Sequence, residues 1–361
     1  MTDSGTVIDP DSPVVVTGAS GYIGSWIVRL LLEAGHTVHA TVRNPDKPTG
    51  LEHLHALSDR HPGRLRLFRA DLLDDGSFDE AMAGAQLVMH TASPFLLSGV
   101  TDPQEELVRP ALEGTRNVLD SVNRADSVRR VVLTSSVVAI YGDARELLDV
   151  PGRVFTDDHW NTTSSVDHQP YPYSKTVAER EAWRYQQEQD RWDLVTIHPG
   201  LVLGPSLTTA SESASLSTMK QFTDGTLLAG APALTVGVVD VRDVAEAHLR
   251  AGYTPEAHGR YIVNAGSMTL LEIGKTLRAK FGPLYPFPWT TAPKAVIKAI
   301  APLAGLTRKY VDLNIGYPLE FDNSRSRDEL GLTYRPTSET VTEHFQQMID
   351  DGVVGKRPGG R

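Results

Sequence analysis

The run Val14-Val15-Val16-Thr17-Gly18-Ala19-Ser20-Gly21-Tyr22-Ile23-Gly24 decides the fold of this chain. Val14 to Thr17 is short, apolar and β-branched, which predicts a buried strand. Ile23, Ile27, Leu30, Leu31 and Ala34 then recur at helical spacing as far as Gly35, which predicts a helix with a glycine stop. Between the two elements Gly18, Gly21 and Gly24 form G-x-x-G-x-x-G. A strand, a glycine turn and a helix in that order let the backbone bend sharply and approach an anion. Free amides and the positive helix end then face a pyrophosphate. Gly18, Ser20, Gly21, Tyr22, Ile23 and Gly24 are the candidate phosphate loop. Three glycines without those flanking elements would be an ordinary turn.

Outward from this loop the chain alternates short apolar runs with longer periodic segments, the rhythm of βαβ units and a parallel sheet. Strands are predicted at Thr37 to Val42, Leu65 to Arg69, Leu87 to His90, Arg130 to Thr134 and Leu194 to His198. Helices are predicted around Glu105 to Asn123 and Ser174 to Gln189. Beyond His198 the rhythm breaks. Ser206 to Ser217 is so rich in Ser and Thr that it reads as a loop or lid, and Phe281 to Pro318 is rich in proline and aromatics. The expected architecture is α/β, a Rossmann-type doubly wound parallel sheet with a smaller C-terminal substrate-binding lobe. Its expected boundaries are a disordered tail over 1–12, a nucleotide-binding domain over 13–200 to which 236–265 return, a substrate lobe over 201–235 and 266–354, and a flexible tail over 355–361.

The 361 residues carry 45 acidic and 35 basic side chains, a formal charge of −10. An acidic chain without a Lys/Arg run offers nothing to a nucleic-acid backbone and is repelled by anionic lipid, so neither is expected as a partner. The chain has no cysteine, which excludes disulfides, thiol nucleophiles and thiolate metal sites together. No spacing suggests any other metal site. With no apolar leader after Met1 and no run of membrane-spanning length, a cytoplasmic protein is expected.

The end of the second predicted strand bears on the choice of nucleotide. Arg43 stands where an NAD-specific protein places a carboxylate for the ribose 2′-hydroxyl, and a guanidinium suits a 2′-phosphate instead. NADP(H) is therefore expected, while Asp46 in the same turn leaves the carboxylate alternative open. Further along, Tyr171-Pro172-Tyr173-Ser174-Lys175 contains Tyr-x-x-x-Lys, which puts a phenol and an ammonium on one helix face. A phenol with a reference pKa near ~10 needs such a neighbour to exchange protons at neutral pH. Tyr173 has Val177 four residues on, so the pair is Tyr171 with Lys175. Thr134-Ser135-Ser136 ends the fifth predicted strand, at the edge where open α/β sheets bind ligands, and could hold a substrate oxygen.

With these residues in order, the chain resembles the extended short-chain dehydrogenases/reductases, and within them the branch of dihydroflavonol and cinnamoyl-CoA reductases. The likeness extends to Val38 to Pro45, His90 to Pro94, Glu113 to Leu119, Val239 to Ala245 and Gly259 to Tyr261. It implies Ser136, Tyr171 and Lys175 as catalytic residues, with Ser135 the fallback for the serine. For the cofactor it implies Arg43 and Lys47 at the 2′-phosphate, Asp71 and Leu72 beside the adenine, Thr91, Ala92 and Ser93 along its length, and Pro199 and Val202 at the nicotinamide. The implied activity is NADPH-dependent reduction of an aldehyde or ketone by hydride transfer. Tyr141, five residues after Ser136, stands where flavonoid reductases have an asparagine, so a flavonoid substrate is not expected. The alternatives are an NAD-dependent nucleotide-sugar epimerase or dehydratase and a non-catalytic NADP(H) sensor. The charged surface of the helix after Tyr171 reads as solvated, from which a monomer is expected.

Overall fold

The structure, a computed structural model, describes residues 5–47, 49–93, 100–208 and 214–354. Its strands are β1 (Val14–Thr17), β2 (Val38–Val42), β3 (Leu65–Arg69), β4 (Leu87–His90), β5 (Arg130–Thr134), β6 (Asp193–Pro199), β7 (Leu201–Leu203), β8 (Thr235–Asp240), β9 (Gly259–Val263) and β10 (Gly266–Thr269). Seven of them form one parallel sheet in the order β3-β2-β1-β4-β5-β6-β9. The order reverses between β1 and β4, and the crevice at that reversal is where such sheets bind ligands. Burial explains the apolar runs: Val14, Val15 and Val16 have no exposed surface, since helices cover both faces.

The helices are α1 (Tyr22–Glu33), α2 (Glu52–Arg60), α3 (Asp79–Met82), α4 (Arg109–Arg124), α5 (Pro170–Gln187) and α6 (Ala214–Lys220), followed by α7 (Val241–Tyr253), α8 (Leu270–Phe281), α9 (Lys294–Ile300), α10 (Arg308–Asn314), α11 (Ser324–Asp328) and α12 (Thr337–Asp350). Ile27, Leu31, Val244 and Ala251 from α1 and α7 pack on one face of the large sheet. Val118, Leu119, Val122 and Ala182 from α4 and α5 pack on the other. A second sheet, β10-β8-β7, forms a lobe core with α8 and α12 through Leu203, Val238, Ile273 and Phe345.

Several boundaries differ from the expected ones. Residues 5–12 are not a free tail, because Ile8 is buried in the main core and the Asp9 amide donates to Gln86. Residues 1–4 and 355–361, the rest of the expected tails, lie outside the described residues, as does 209–213 of the expected lid. The stretch 236–265 divides: β8 pairs with β7 and β10, and only α7 and β9 rejoin the large sheet. The helix expected from Ser174 begins at Pro170, since Pro170 and Pro172 fall in its first turn, where no intrahelical N–H is needed. Nor is that helix solvated along the whole of its charged stretch, although Arg180 and Arg184 are exposed. Glu179 is fully buried and Glu181 nearly so, each neutralised by arginine, so its charges do not support the expectation of a monomer.

Candidate active site

The glycine loop is tight enough to require glycine. Gly18 has φ +67°, and a Cβ there would lie 2.9 Å from the Ala92 Cα. A Cβ on Gly24 would lie 2.4 Å from the Gly18 carbonyl oxygen, so the start of α1 lies directly against the turn. Gly21 is the N-cap of α1 and no side chain caps the helix. The first turn of α1 carries no acidic residue, so its amides face the crevice without a competing anion. Ser20 and Ile23 are half-buried and Gly21 is exposed at this rim. Tyr22 points elsewhere: its buried hydroxyl donates to the Gly204 carbonyl at 2.5 Å, so only its backbone can meet a phosphate. These residues fit a dinucleotide.

Thr17, at the end of β1, organises the next loop. Its hydroxyl oxygen accepts from the amides of Thr91 and Ala92 at 3.1 Å each, and its carbonyl accepts from the Thr91 hydroxyl at 2.6 Å. The Thr17 hydroxyl donates to Nδ1 of His90 at 2.8 Å, and burial, then the Lys175 charge, pushes the pKa of His90 down to about 3, leaving a neutral ring. Thr91 to Ser93 are thereby held beside Gly18, and Lys175 Nζ reaches across from α5 to donate to the Ser93 hydroxyl at 2.9 Å.

Tyr171 and Lys175 lie on the first two turns of α5. Burial pushes the Lys175 pKa down to about 8 and that of Tyr171 up to about 12. Desolvation of the phenolate thus opposes the pull expected of Lys175 on the phenol. Of the two serines after β5, Ser135 is buried and its hydroxyl donates to Glu179 at 2.5 Å, which leaves it no freedom to serve as the fallback. Ser136 is half-buried and caps the turn at Val137–Ala139, its hydroxyl accepting from the Val138 amide at 3.4 Å. A cavity beside Lys175 is lined by Ser93, Thr134, Ser135 and Glu179 as well.

Arg43 and Lys47 are exposed in the turn after β2. Asp46 in that turn is engaged by Arg69, whose guanidinium donates to it at 2.8 Å and to Asn44 at 3.0 Å. Arg69 escaped the sequence reading. Its signal is register, because the last residue of β3 pairs with Val42, just before Arg43. Asp71 is exposed and its carboxylate accepts from the Leu73 amide, while Leu72 packs against Gly114. Pro199 is buried at the end of β6, paired with Val263, and Val202 is half-buried in β7. Tyr141 stacks on Phe155 at 5.2 Å between ring centres. Among the described residues no helix is long and apolar enough to cross a membrane, and no cluster of three His, Asp or Glu could hold a metal.

The chain matches the NAD dependent epimerase/dehydratase family over residues 14–266. It is 37% identical over 342 residues to cinnamoyl-CoA reductase CAD2 of Medicago truncatula, covering 93% of this chain and 95% of that one. It is 40% identical over 277 residues to a putative anthocyanidin reductase of Ginkgo biloba, covering 72% and 78%. Among solved structures it is similar to Gre2 from Candida albicans in complex with NADPH, with a TM-score of 0.74 and 27% identity over 94% of this chain and 99% of that chain. The chain belongs to the NAD dependent epimerase/dehydratase family, the extended short-chain dehydrogenases/reductases, on the branch that holds the cinnamoyl-CoA reductases.

Proposed function

We propose that this protein reduces an aldehyde or ketone to the alcohol with NADPH. The observation that supports the reading is that Lys175 Nζ donates to the Ser93 hydroxyl in the loop after β4, with Tyr171 one turn earlier on the same helix and Ser136 just after β5. Reduced nicotinamide supplies the hydride when bound. Tyr171 donates its proton to the carbonyl oxygen as charge develops there, and a phenol held near 12 keeps that proton throughout the neutral range. Ser136 donates a hydrogen bond to the same oxygen. Lys175 places a positive charge behind the phenol and is held in place through Ser93.

Arg43 and Lys47 hold the 2′-phosphate, and Asp71 with Leu72 borders the adenine. Arg69 already neutralises Asp46, the one carboxylate of that turn. The relatives support the reading: reductases of cinnamoyl-CoA and anthocyanidin, and an NADPH complex. The substrate class in line with those relatives is a bulky aryl or alkyl carbonyl compound. The test is a screen of NADPH oxidation over aldehydes and ketones, with UDP-sugars and NADH in parallel. Turnover with carbonyls and NADPH is expected. Conversion of UDP-sugars without net oxidation would replace this reading with the epimerase. Tyr171→Phe is expected to keep NADPH binding and to lose roughly 10²–10⁴-fold in kcat.

A further inference from the structure

Glu179 lies one turn beyond Lys175 and two beyond Tyr171 on α5, with no exposed surface. All of its hydrogen-bond partners are donors. Oε2 accepts from the Ser135 hydroxyl at 2.5 Å and from Nε2 of His198 at 2.7 Å, and Oε1 accepts from Nε of Arg260 at 2.7 Å and Nε1 of Trp183 at 3.2 Å. Burial alone would raise its pKa, but His198 and Arg260 outweigh burial and hold it at about 2. The partners come from different strands: Ser135 follows β5, His198 belongs to β6 and Arg260 to β9. Ser135 is also the neighbour of Ser136, and His198 the neighbour of Pro199. One carboxylate is therefore bonded next to each group assigned to the substrate oxygen and to the nicotinamide, and it stands on the helix of the proton donor. Among the described residues Nδ1 of His198 has no hydrogen-bond partner, and there the bond to Glu179 is the one hydrogen bond that fixes this buried ring.

We propose that Glu179 is a positioning residue: its carboxylate, bonded at once to Ser135, His198 and Arg260, sets the helix of Tyr171 and Lys175 in register with Ser136 and Pro199. The proposal rests on the carbonyl-reductase reading. A carboxylate is required because every partner donates. An amide in its place would turn an NH2 toward one of those donors and separate two groups that now share one acceptor. An apolar replacement would leave Arg260 charged and unpaired in the core. A shift of a few tenths of an ångström along α5 moves the Tyr171 hydroxyl relative to Ser136, and reaction rates are sensitive to displacements of that size.

The test compares wild type, Glu179→Gln, His198→Leu and His198→Gln. Competent sites are counted by NADPH fluorescence titration, and kcat is expressed per site. Glu179→Gln is expected to lower kcat at least tenfold while the NADPH Kd stays within twofold. His198→Leu removes one donor, leaves every assigned site residue untouched, and is expected to lower kcat about fivefold. His198→Gln restores a donor and is expected to recover kcat to within threefold of wild type. A purely structural carboxylate would reduce the number of competent sites and the melting temperature with kcat per site unchanged, and that result overturns the proposal. If Glu179→Gln does not fold, the two His198 variants decide: equal kcat in both overturns it, and rescue by glutamine alone sustains it. An inactive wild type would sink the reductase reading and this proposal together, whereas an active wild type with undiminished variants sinks the proposal alone.

Discussion

Lys175 sits where its charge is expensive. Its pKa in the fold is about 8 against an ordinary 10.5, so the folded protein resists the proton that the unfolded chain accepts. That penalty is fully present below pH 8 and relieved as pH rises from 8 to 10.5, which makes the lysine a stability cost at neutral pH. Lys175→Met is therefore expected to raise unfolding stability at pH 7 by about 2 kcal/mol while abolishing turnover, measured by urea unfolding and NADPH oxidation. The same side chain governs the alkaline limb of the reaction. Tyr171 keeps its proton to about 12, so kcat/KM for carbonyl reduction should fall with a single apparent pKa near 8 as the ammonium is lost. A profile flat to pH 10 would show that the lysine charge is not needed.

At the scale of elements, the glycine loop and the first turn of α1 act as one unit. Gly24→Ala would drive a methyl into the Gly18 carbonyl, and since that neighbour is backbone, the helix must retreat from the turn. NADPH affinity is expected to fall at least tenfold, read by fluorescence titration, with a melting temperature several degrees lower. Val14–Thr17 and Arg130–Thr134 were legible because burial on both faces forces near-continuous β-branched runs, and the edge strand Leu65–Arg69 because Leu65, Leu67 and Phe68 stand out between exposed arginines. The start of α5 was not, because two prolines argue against a helix everywhere except its first turn. Glu179 and Arg69 were missed for a different reason. Their signal is a partner far along the chain, at His198 and Arg260 for one and Asp46 for the other, and periodicity carries no such information. Thr17 reads as one more buried β-branched residue, although its hydroxyl holds the loop after β4.

Across the whole molecule, the buried histidines determine how the fold meets acid. Burial pushes His90 down to about 3, and His248 and His344 down to about 4. His248 sits between Val244, to whose carbonyl its Nδ1 donates, and Thr134, whose hydroxyl donates to its Nε2, so the neutral ring ties α7 to the end of β5. His344, on the lobe helix α12, stands edge-on to Tyr22 at the start of α1. In the unfolded chain these rings protonate near their ordinary pKa, so the unfolded state binds more protons below about 6.5. Stability is therefore fully present above that value and lost as pH falls. Each ring contributes roughly 2 kcal/mol of loss between pH 7 and pH 5. Glu179 and Glu181, both held at about 2, add their own loss only below their ordinary pKa of 4.5. Because the three histidines lie in the large sheet, in α7 and in α12, the acid transition should involve both sheets at once. Urea unfolding at pH 7 and pH 5 is expected to show a marked fall in the free energy of unfolding, and His344→Met should reduce that fall by roughly 2 kcal/mol by deleting one titrating ring. Equal stability of the parent at the two values would mean that the buried rings accept protons in the folded state.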